Sequence, residues 1–378
     1  MVWKIIGWLT VLGVVLAAAL AGVGYYFSNL LTTPSDPWSE LPKQVVAVDG
    51  STVELPWDAD TDLAGRHALL WPDGHALLGE QLDTTGTLGE GTIRYAVEDV
   101  TRGELRAGTD TAWYSWRFDG DPSVRGLDFR TVSPRSDVGD LPSWYVPGDG
   151  DTWVIVVHGR DGDRPEALRA LPALARTGAP TLAIRYRNDP GVPTADNLLR
   201  LGDTEWRDVE AAMAWASERG AQRFVLYGFS YGAQVSLQAL DRAEGRERIV
   251  GLVLDGPVIS WTTTLDFQAG LRGLPTLISR VGGLVTEQRL GIDLADFDWI
   301  ARADEIDVPI LIFHGPDDLF VPFEPSRDLA ALRPDVVTLE QVDRAGHTRS
   351  WNTAPARYER AVTAFVRSLD RPPRAAAG

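Results

Sequence analysis

The sequence predicts an α/β fold, in which a mostly parallel β-sheet is flanked by helices. Two observations from residue 127 onwards predict it. Short, continuous apolar runs such as TWVIVVHG (152–159) and PTLAIRYR (180–187) have the length and composition of strands buried on both faces. They alternate with amphipathic helical segments such as TEWRDVEAAMAWASERG (204–220). Strands that alternate with helices are typical of a parallel sheet.

The same alternation continues to the end of the chain. Further strands are predicted at RFVLYGFS, IVGLVLDGPV, PILIFHG and VVTLEQV, and the segment PARYERAVTAFVRSL closes the domain as a helix. GLDFRTVSP and PSWYVPG, which precede the first buried strand, read as two antiparallel strands. Residues 261–305 interrupt the alternation with loosely amphipathic helical sequence, which predicts a lid or cap over a site.

The N-terminus predicts a membrane anchor. Residues 5–31 contain no charge, and a helical span needs only about 20 apolar residues. Aromatic residues lie near both ends of the run, as they do at membrane interfaces (Trp3, Trp8, Tyr25, Tyr26, Phe27). We therefore expect residues 1–31 to form a transmembrane signal-anchor helix that contacts the membrane through residues 5–27.

The flanking charges predict the orientation of this helix. Lys4 precedes the apolar run, and Asp36 and Glu40 follow it. The positive-inside rule then leaves the N-terminus in the cytoplasm and the rest of the chain outside, as a single-pass protein of the cell membrane. The alternative is secretion after cleavage of a signal peptide, for which Ala19-Leu20-Ala21 would be an acceptable site.

The segments between anchor and sheet have their own composition. Residues 32–42 contain three prolines and read as a linker. Residues 43–126 hold short strand-like runs broken by Gly and Asp, which predicts a small β-rich accessory region. The α/β domain would then span residues 127–372, and residues 373–378 read as a disordered tail.

Composition excludes several classes of function. A net charge of −17 argues against a nucleic-acid partner, because phosphate contacts need clustered Lys and Arg. The absence of cysteine excludes disulfides, a thiol nucleophile and thiolate metal ligands. No two histidines share a helix or strand at ligand spacing, so neither a metal nor another cofactor is expected.

Three residue types with complementary chemistry follow strand ends. Ser230 follows RFVLYGF, Asp318 follows PILIFHG, and His347 follows VVTLEQV. The carboxyl ends of parallel strands meet at one edge of a sheet, where ligands bind. A serine hydroxyl attacks only when a base takes its proton, imidazole is such a base near neutral pH, and a carboxylate orients the imidazole. The sequence therefore predicts a Ser-His-Asp triad.

Five stretches carry a resemblance to a known family: GFSYGA, VIVVHGR, VLDGPV, FHGPDDLFVP and AGHTRSW. Together they resemble the α/β-hydrolase superfamily, particularly its prolyl-oligopeptidase-like and serine-aminopeptidase-like branch, over residues 127–370. The resemblance implies an α/β-hydrolase fold and the chain order Ser, Asp, His. Its HG-x-x-D pattern selects Asp318 as the acid rather than the adjacent Asp317.

The resemblance also implies how the serine is presented. Gly228 and Gly232 would allow the tight turn of the nucleophile elbow, and the backbone N–H groups of Arg160 and Tyr231 would form the oxyanion hole. The family's second glycine after the elbow is replaced here by Ala233. Residues 43–126 are too short for the β-propeller found in prolyl-oligopeptidase relatives, so peptide specificity does not follow.

The predicted function is a membrane-anchored serine hydrolase of the esterase, lipase or peptidase type. It would cleave an ester, amide or thioester bond of a small-molecule or peptide acyl substrate through an acyl-enzyme intermediate. Two alternatives stay open. An acyltransferase uses the same triad, and a non-catalytic, membrane-anchored binding or scaffold protein can be built on the same fold.

Overall fold

The computed structural model describes residues 2–35, 42–192, 194 and 196–369. The predicted tail, 373–378, lies outside these residues, as do residues 36–41 of the predicted linker. The first element is helix α1 (Val2–Thr32). Within the described residues it is the one helix long and apolar enough to cross a membrane, by length and composition.

The accessory region is an antiparallel sheet. Its strands are β1 (Lys43–Gln44), β2 (Ala47–Asp49), β3 (Thr52–Trp57), β4 (Ala68–Trp71), β5 (Gly74–Thr85), β6 (Gly91–Arg102) and β7 (Asp110–Tyr114). Their order in the sheet is β1-β7-β4-β5-β6-β3-β2. One face buries a small apolar core that includes Leu55, Leu78, Ile93 and Tyr95. We name residues 43–115, which contain β1–β7 and the segments that connect them, the accessory sheet.

The second sheet has eight strands. Their residues are β8 (Arg130–Val132), β11 (Ser143–Val146), β12 (Thr152–Val157), β13 (Thr181–Ile184), β14 (Arg223–Phe229), β15 (Ile249–Asp255), β16 (Ile310–His314) and β17 (Val337–Gln341), and a small hairpin of β9 (Arg135–Ser136) and β10 (Gly139–Asp140) lies between β8 and β11. The order is β17-β16-β15-β14-β12-β13-β11-β8.

This sheet is mixed, which corrects the expectation of a mostly parallel sheet at one edge. Strands β12 to β17 pair in parallel, whereas β11 pairs antiparallel with both β13 and β8. The connection explains the pairing of β8 with β11. Only residues 133–142 join these two strands, and neighbours joined by so short a segment pair antiparallel, because parallel ones need a long crossover.

Helices cover both faces of this sheet. They are α2 (Leu171–Ala175), α3 (Trp206–Ser217), α4 (Tyr231–Arg242), α5 (Trp261–Leu271), α6 (Thr276–Leu290), α7 (Glu324–Leu332), α8 (Ser350–Thr353) and α9 (Pro355–Leu369), with short 3₁₀ turns at 122–125, 164–169, 246–248, 294–297 and 303–305. Alternate strand residues face opposite layers. Ile155 and Leu226 pack towards α3 and α4, whereas Val156 and Tyr227 pack towards α2 and α9.

Helices α5 and α6 lie within the segment predicted as a lid, and we name them the lid helices. The C-terminal part of α1 packs on α6. Gly24 lies so close to α6 that an added Cβ would be 2.9 Å from the side chains of Val281 and Val285. Ser28 and Thr32 follow at helical spacing and are buried. Small residues along one helix face allow this close approach of two backbones.

Candidate active site

The turn between β14 and α4 presents Ser230. Its backbone has φ 50° and ψ −112°, a conformation that is rare for a residue other than glycine. Close packing explains the two neighbouring glycines. A Cβ on Gly228 would lie 2.4 Å from Cα of Ala233, and a Cβ on Gly232 would lie 2.3 Å from the carbonyl oxygen of Val157. The turn therefore has the geometry of a nucleophile elbow.

His347 lies in the loop that follows β17. Its Nε2 is 2.8 Å from Oγ of Ser230, and its Nδ1 is 2.7 Å from Oδ2 of Asp318. The structure thus brings together the three residues that the sequence placed at strand ends. The imidazole side chain is 18% exposed, whereas the carboxylate of Asp318 is fully buried.

Asp318 accepts hydrogen bonds from several donors. Oδ1 accepts from the backbone N–H groups of Phe320 and Val321, and Oδ2 is within bonding distance of His347 and of His314, whose Nε2 lies 3.1 Å away. Burial by itself would raise the pKa of this carboxyl. The charge of His347 and the hydrogen bonds from the two imidazoles outweigh burial and hold the pKa well below its usual range.

Sequence reasoning missed the part of His314 in this network, because it read that residue only as the end of a strand. The residue starts the HG-x-x-D pattern four positions before Asp318, and that spacing was the available signal. Its Nδ1 lies 2.8 Å from Oγ of Ser326, so the buried ring links the acid to α7.

Two other acidic residues lie near the site but do not contact His347. Asp317 turns the other way and accepts a hydrogen bond from the backbone N–H of Arg344 at 2.6 Å. Asp255 is buried at the end of β15, where its carboxylate accepts from Ser350 and Tyr358. Burial raises the pKa of Asp255 to about 6.

The loop after β12 faces the nucleophile. Gly159 lies so close that an added Cβ would be 3.3 Å from Cβ of Ser230. Arg160 and Tyr231, whose backbone N–H groups are the predicted oxyanion donors, follow Gly159 and Ser230 directly. Among the turn and loop bonds between described residues, none is donated by the N–H of Arg160. An oxyanion hole needs donors that are free in this way.

Side chains below this loop support it. His158, which precedes Gly159, lies 2.7 Å from Oδ2 of Asp189 through its Nε2. Burial would lower the pKa of this imidazole, but the adjacent carboxylate raises it to about 9. The Arg160 side chain leaves the site altogether. It donates to the carbonyl oxygens of Leu30 at 2.6 Å and Thr33 at 3.0 Å, at the C-terminal end of α1.

The accessory sheet contacts residues 344–353, which we name the histidine loop. Asn352 Nδ2 donates to the carbonyl oxygens of Arg66 and Ser115, and its Oδ1 accepts from Arg169. Arg349 donates from Nε to Oγ of Ser115 at 2.9 Å and pairs with Asp60 at 3.3 Å.

Backbone contacts reinforce this interface. The N–H of Ala64 donates to the carbonyl of Arg344, and the N–H of Arg66 donates to that of Asn352. None of the accessory residues in these contacts was predicted from sequence, because the two segments lie more than 200 positions apart and the accessory segment carries no recognisable motif. The accessory sheet therefore holds the loop that carries His347.

The described ranges contain no group of three His, Asp or Glu side chains arranged to hold a metal ion. The polar atom that bonds Oγ of Ser230 is instead an imidazole nitrogen. This arrangement can accept a proton from the serine.

Comparison with family models identifies the second domain. Residues 154–377 match the model of the alpha/beta hydrolase family. The chain belongs to the alpha/beta hydrolase family. Residues 44–114, which span most of the accessory sheet, match the model of a domain of unknown function, DUF8805. No curated protein matches the chain.

Solved structures of low sequence identity share the fold. An esterase of Pyrococcus furiosus in space group P21 has a TM-score of 0.54 and 21% identity, over 67% of this chain and 97% of the esterase. The same esterase in space group P212121 has a TM-score of 0.53 and 20% identity, over 66% of this chain and 94% of the esterase. The similarity establishes the α/β-hydrolase fold of this part of the chain.

Proposed function

We propose that the protein is a membrane-anchored serine hydrolase that cleaves an ester, amide or thioester bond. The observation that carries the proposal is the continuous hydrogen-bond chain from Ser230 through His347 to Asp318. Three residues from three different strand ends meet with bonding geometry, and the alpha/beta hydrolase fold by itself does not require them to do so. The non-catalytic scaffold predicted as an alternative has no comparable support.

In the first half-reaction Ser230 attacks the carbonyl carbon of the substrate. The Oγ–C bond forms while Nε2 of His347 takes the hydroxyl proton, and Asp318 stabilises the resulting imidazolium through Nδ1–H. The carbonyl oxygen becomes an oxyanion, for which the N–H groups of Arg160 and Tyr231 are the proposed donors. One such donor is worth about 3 kcal/mol where its removal has been measured in other enzymes.

The tetrahedral intermediate then collapses. The bond to the leaving group breaks, and His347 returns its proton to the departing alcohol, amine or thiol. In the second half-reaction a water molecule gives its proton to His347 and attacks the acyl carbon. The Oγ–C bond breaks, Ser230 recovers its proton, and the carboxylic acid leaves, so that one water is consumed for each bond cleaved.

The membrane part of the proposal rests on α1. Residues 5–24 are uncharged and nearly all exposed among those whose side chains are described, and 20 residues of helix span about 30 Å, the thickness of the hydrocarbon core. Lys4 precedes them, so the N-terminus is placed in the cytoplasm and the hydrolase domain outside. The alternative is that residues at the N-terminus form a signal peptide that is cleaved. The mass of the mature protein distinguishes an intact helix from a cleaved one.

Covalent labelling with a fluorophosphonate probe tests the nucleophile. We expect the wild-type protein and Ser236→Ala to be labelled and Ser230→Ala to be unlabelled. Ser236 is a matched control because it is a buried serine of the adjoining helix α4 whose hydroxyl bonds only to the carbonyl of Gly232. Labelling of Ser230→Ala, or no labelling of the wild type, would contradict the proposal.

The adjacent aspartates test the acid in the same assay. Asp318→Asn should lower the rate of labelling by about 10³–10⁴-fold, because the imidazole loses the carboxylate that sets its tautomer. Asp317→Asn should stay within a few-fold of wild type, since the amide oxygen can still accept from Arg344. Equal loss in both variants would argue against the assignment of Asp318.

A further inference from the structure

A cavity of about 150 Å³ lies between the C-terminal part of α1, the lid helices and Arg160 of the loop after β12. Its walls are mostly apolar, with Phe27 and Leu31 from α1, and Leu265 and Ala269 from α5. In other proteins a dry cavity of about this volume holds a benzene-sized ligand. The space therefore accommodates a short run of methylene groups.

Arg160 connects the cavity to the loop that faces the nucleophile. Its side chain lines the cavity and donates hydrogen bonds to the end of α1. The preceding residue, Gly159, lies so close to the nucleophile that an added Cβ would be 3.3 Å from Cβ of Ser230. Adjacent residues of one loop thus contact the cavity and approach Ser230.

A second connection runs through the lid. Gln268 lines the cavity, and its Nε2 donates to the carbonyl oxygens of Leu319 and Phe320, each at 2.8 Å. The ring of Phe320 lies 5.3 Å from the ring of His347. Gln268 and Phe320 therefore connect the cavity to His347, in addition to the connection through Arg160.

The position of the cavity along α1 relates it to the membrane. If residues 5–24 cross the hydrocarbon core, Tyr25 and Tyr26 lie at its boundary, where aromatic residues with a polar tip are favoured. The cavity-lining residues of α1 are 27–31, which lie within about 9 Å of that boundary along the helix axis. The cavity is therefore level with the lipid headgroups.

Apolar side chains are exposed to solvent near the cavity. Leu271 and Leu277 of the lid are 51% and 57% exposed, and Leu319 and Phe320 beside the triad are 51% and 59% exposed. Residues 261–290 carry three arginines and two carboxylates, a net charge of +1, in a chain whose net charge is −17. This face can therefore approach an anionic membrane, whereas the average surface repels it.

We propose that the cavity between α1 and the lid helices binds the acyl chain of an ester lipid that enters from the membrane. This inference rests on the proposed function, because it places the ester carbonyl of that lipid at Ser230. The acyl chain occupies the cavity, and the headgroup remains at the interface. The anchor helix then forms one wall of the substrate site in addition to attaching the protein to the bilayer.

Chain-length preference tests the inference in the full-length protein reconstituted in nanodiscs of phosphatidylcholine and phosphatidylglycerol. The substrates are p-nitrophenyl esters from acetate to dodecanoate. For wild type, kcat/KM should rise by up to roughly fourfold for each methylene that the cavity buries. Ala269→Phe fills the cavity and should lower kcat/KM for decanoate at least about tenfold, the value of about two methylenes, and leave acetate within about twofold.

Gly270→Phe is the matched control. It adds the same side chain at the next position of α5, where a Cβ meets nothing within 4 Å, and it should leave the profile unchanged. If the enzyme is labelled and active but shows no chain-length preference, the cavity assignment is wrong and the proposed hydrolase function stands. The same conclusion follows if Ala269→Phe does not change the chain-length profile. Absence of labelling and of all ester turnover overturns the hydrolase as well.

A covalent probe gives a second test that does not depend on a folded variant. A fluorophosphonate with a decyl chain and a terminal diazirine is attached to Ser230 of the wild type, irradiated, and mapped by mass spectrometry. We expect cross-links within residues 27–31 and 265–282. Cross-links confined to other segments overturn the inference.

Discussion

The accessory sheet and helix α1 both contact the alpha/beta hydrolase domain beside the proposed active site, but they do so with different chemistry. The accessory sheet contacts the histidine loop through directional bonds, among them those of Asn352 and Arg349. Helix α1 contacts α6 through small and apolar residues, with Gly24 against Val281 and Val285. Arg289 is the main polar addition at that contact, with a bond of 2.8 Å to Ser28.

The difference shows how one site can hold a catalytic side chain in place while its lid stays able to move. Hydrogen bonds that are buried fix a loop in one geometry, because every displaced donor or acceptor is left unsatisfied. Apolar contacts between small residues fix a single geometry less strongly than buried hydrogen bonds do. The lid helices can therefore move relative to α1. We therefore expect the histidine loop to be rigid and the lid to respond to what lies beside α1.

The largest effect is expected from removing the main hydrogen-bonding side chain of the histidine loop. Asn352→Ala leaves the carbonyl oxygens of Arg66 and Ser115 and the guanidinium of Arg169 without this partner. We expect the free energy of unfolding to fall by about 3 kcal/mol. We also expect kcat to fall about tenfold with KM unchanged, because the imidazole is displaced. Urea unfolding and ester hydrolysis measure the two effects.

Asn352→Asp provides a second variant. It keeps an acceptor for Arg169 but places a carboxylate oxygen against the carbonyl oxygens of Arg66 and Ser115, so its loss of kcat should be at least as large as that of Asn352→Ala. A variant that loses stability but keeps the wild-type kcat would show that the accessory sheet stabilises the fold without positioning His347.

A smaller effect is expected at the helix contact. Gly24→Leu forces α1 away from α6, because its Cβ would already lie 2.9 Å from two valine side chains, and overpacking of this kind costs about 1–3 kcal/mol. Gly22→Leu adds the same side chain where nothing lies within 4 Å. Hydrogen exchange in nanodiscs should become faster in α6 for Gly24→Leu alone, and the histidine loop should stay protected in both. Faster exchange in both regions would mean that the two interfaces are coupled.

The smallest effect is a pH dependence of the accessory sheet. Burial would raise the pKa of Asp58, but its bond to Lys43 and the N–H groups of Thr61 and Asp60 outweigh this and lower the pKa. A lowered pKa in the folded state stabilises the fold above the ordinary value of about 4 and loses that contribution as the pH falls through the folded pKa. The Asp58 carboxylate contributes less than about 1 kcal/mol to the free energy of unfolding, since it is partly solvated.

Unfolding of wild type and Asp58→Asn between pH 7 and pH 3 measures this contribution. The difference in stability should be largest at pH 7 and should shrink towards pH 3. A difference that is constant across this range would show that the ionised carboxylate does not contribute.

Much of the fold and the triad could be predicted because their signals are local. The apolar strands, the Gly-x-Ser-x-Gly turn and the HG-x-x-D pattern each occupy a few consecutive residues, and parallel strands bring their carboxyl ends to one edge without further information. Strands β8 and β11 were predicted as two antiparallel strands, but the prediction of a mostly parallel sheet gave too little weight to this antiparallel edge. The predicted domain boundaries and the roles of Arg160 and Tyr231 remain predictions.

The sequence by itself determined the alpha/beta hydrolase core, the order of Ser230, Asp318 and His347, and an uncharged helix long enough to cross a membrane. Only the tertiary structure decided that the Arg160 side chain reaches the end of α1, that Asn352 is held by the accessory sheet, and that Gly24 contacts the lid. The reason is physical. A strand or a turn is encoded by neighbours in sequence, whereas a contact between segments some 130 to 290 positions apart depends on how the completed elements pack.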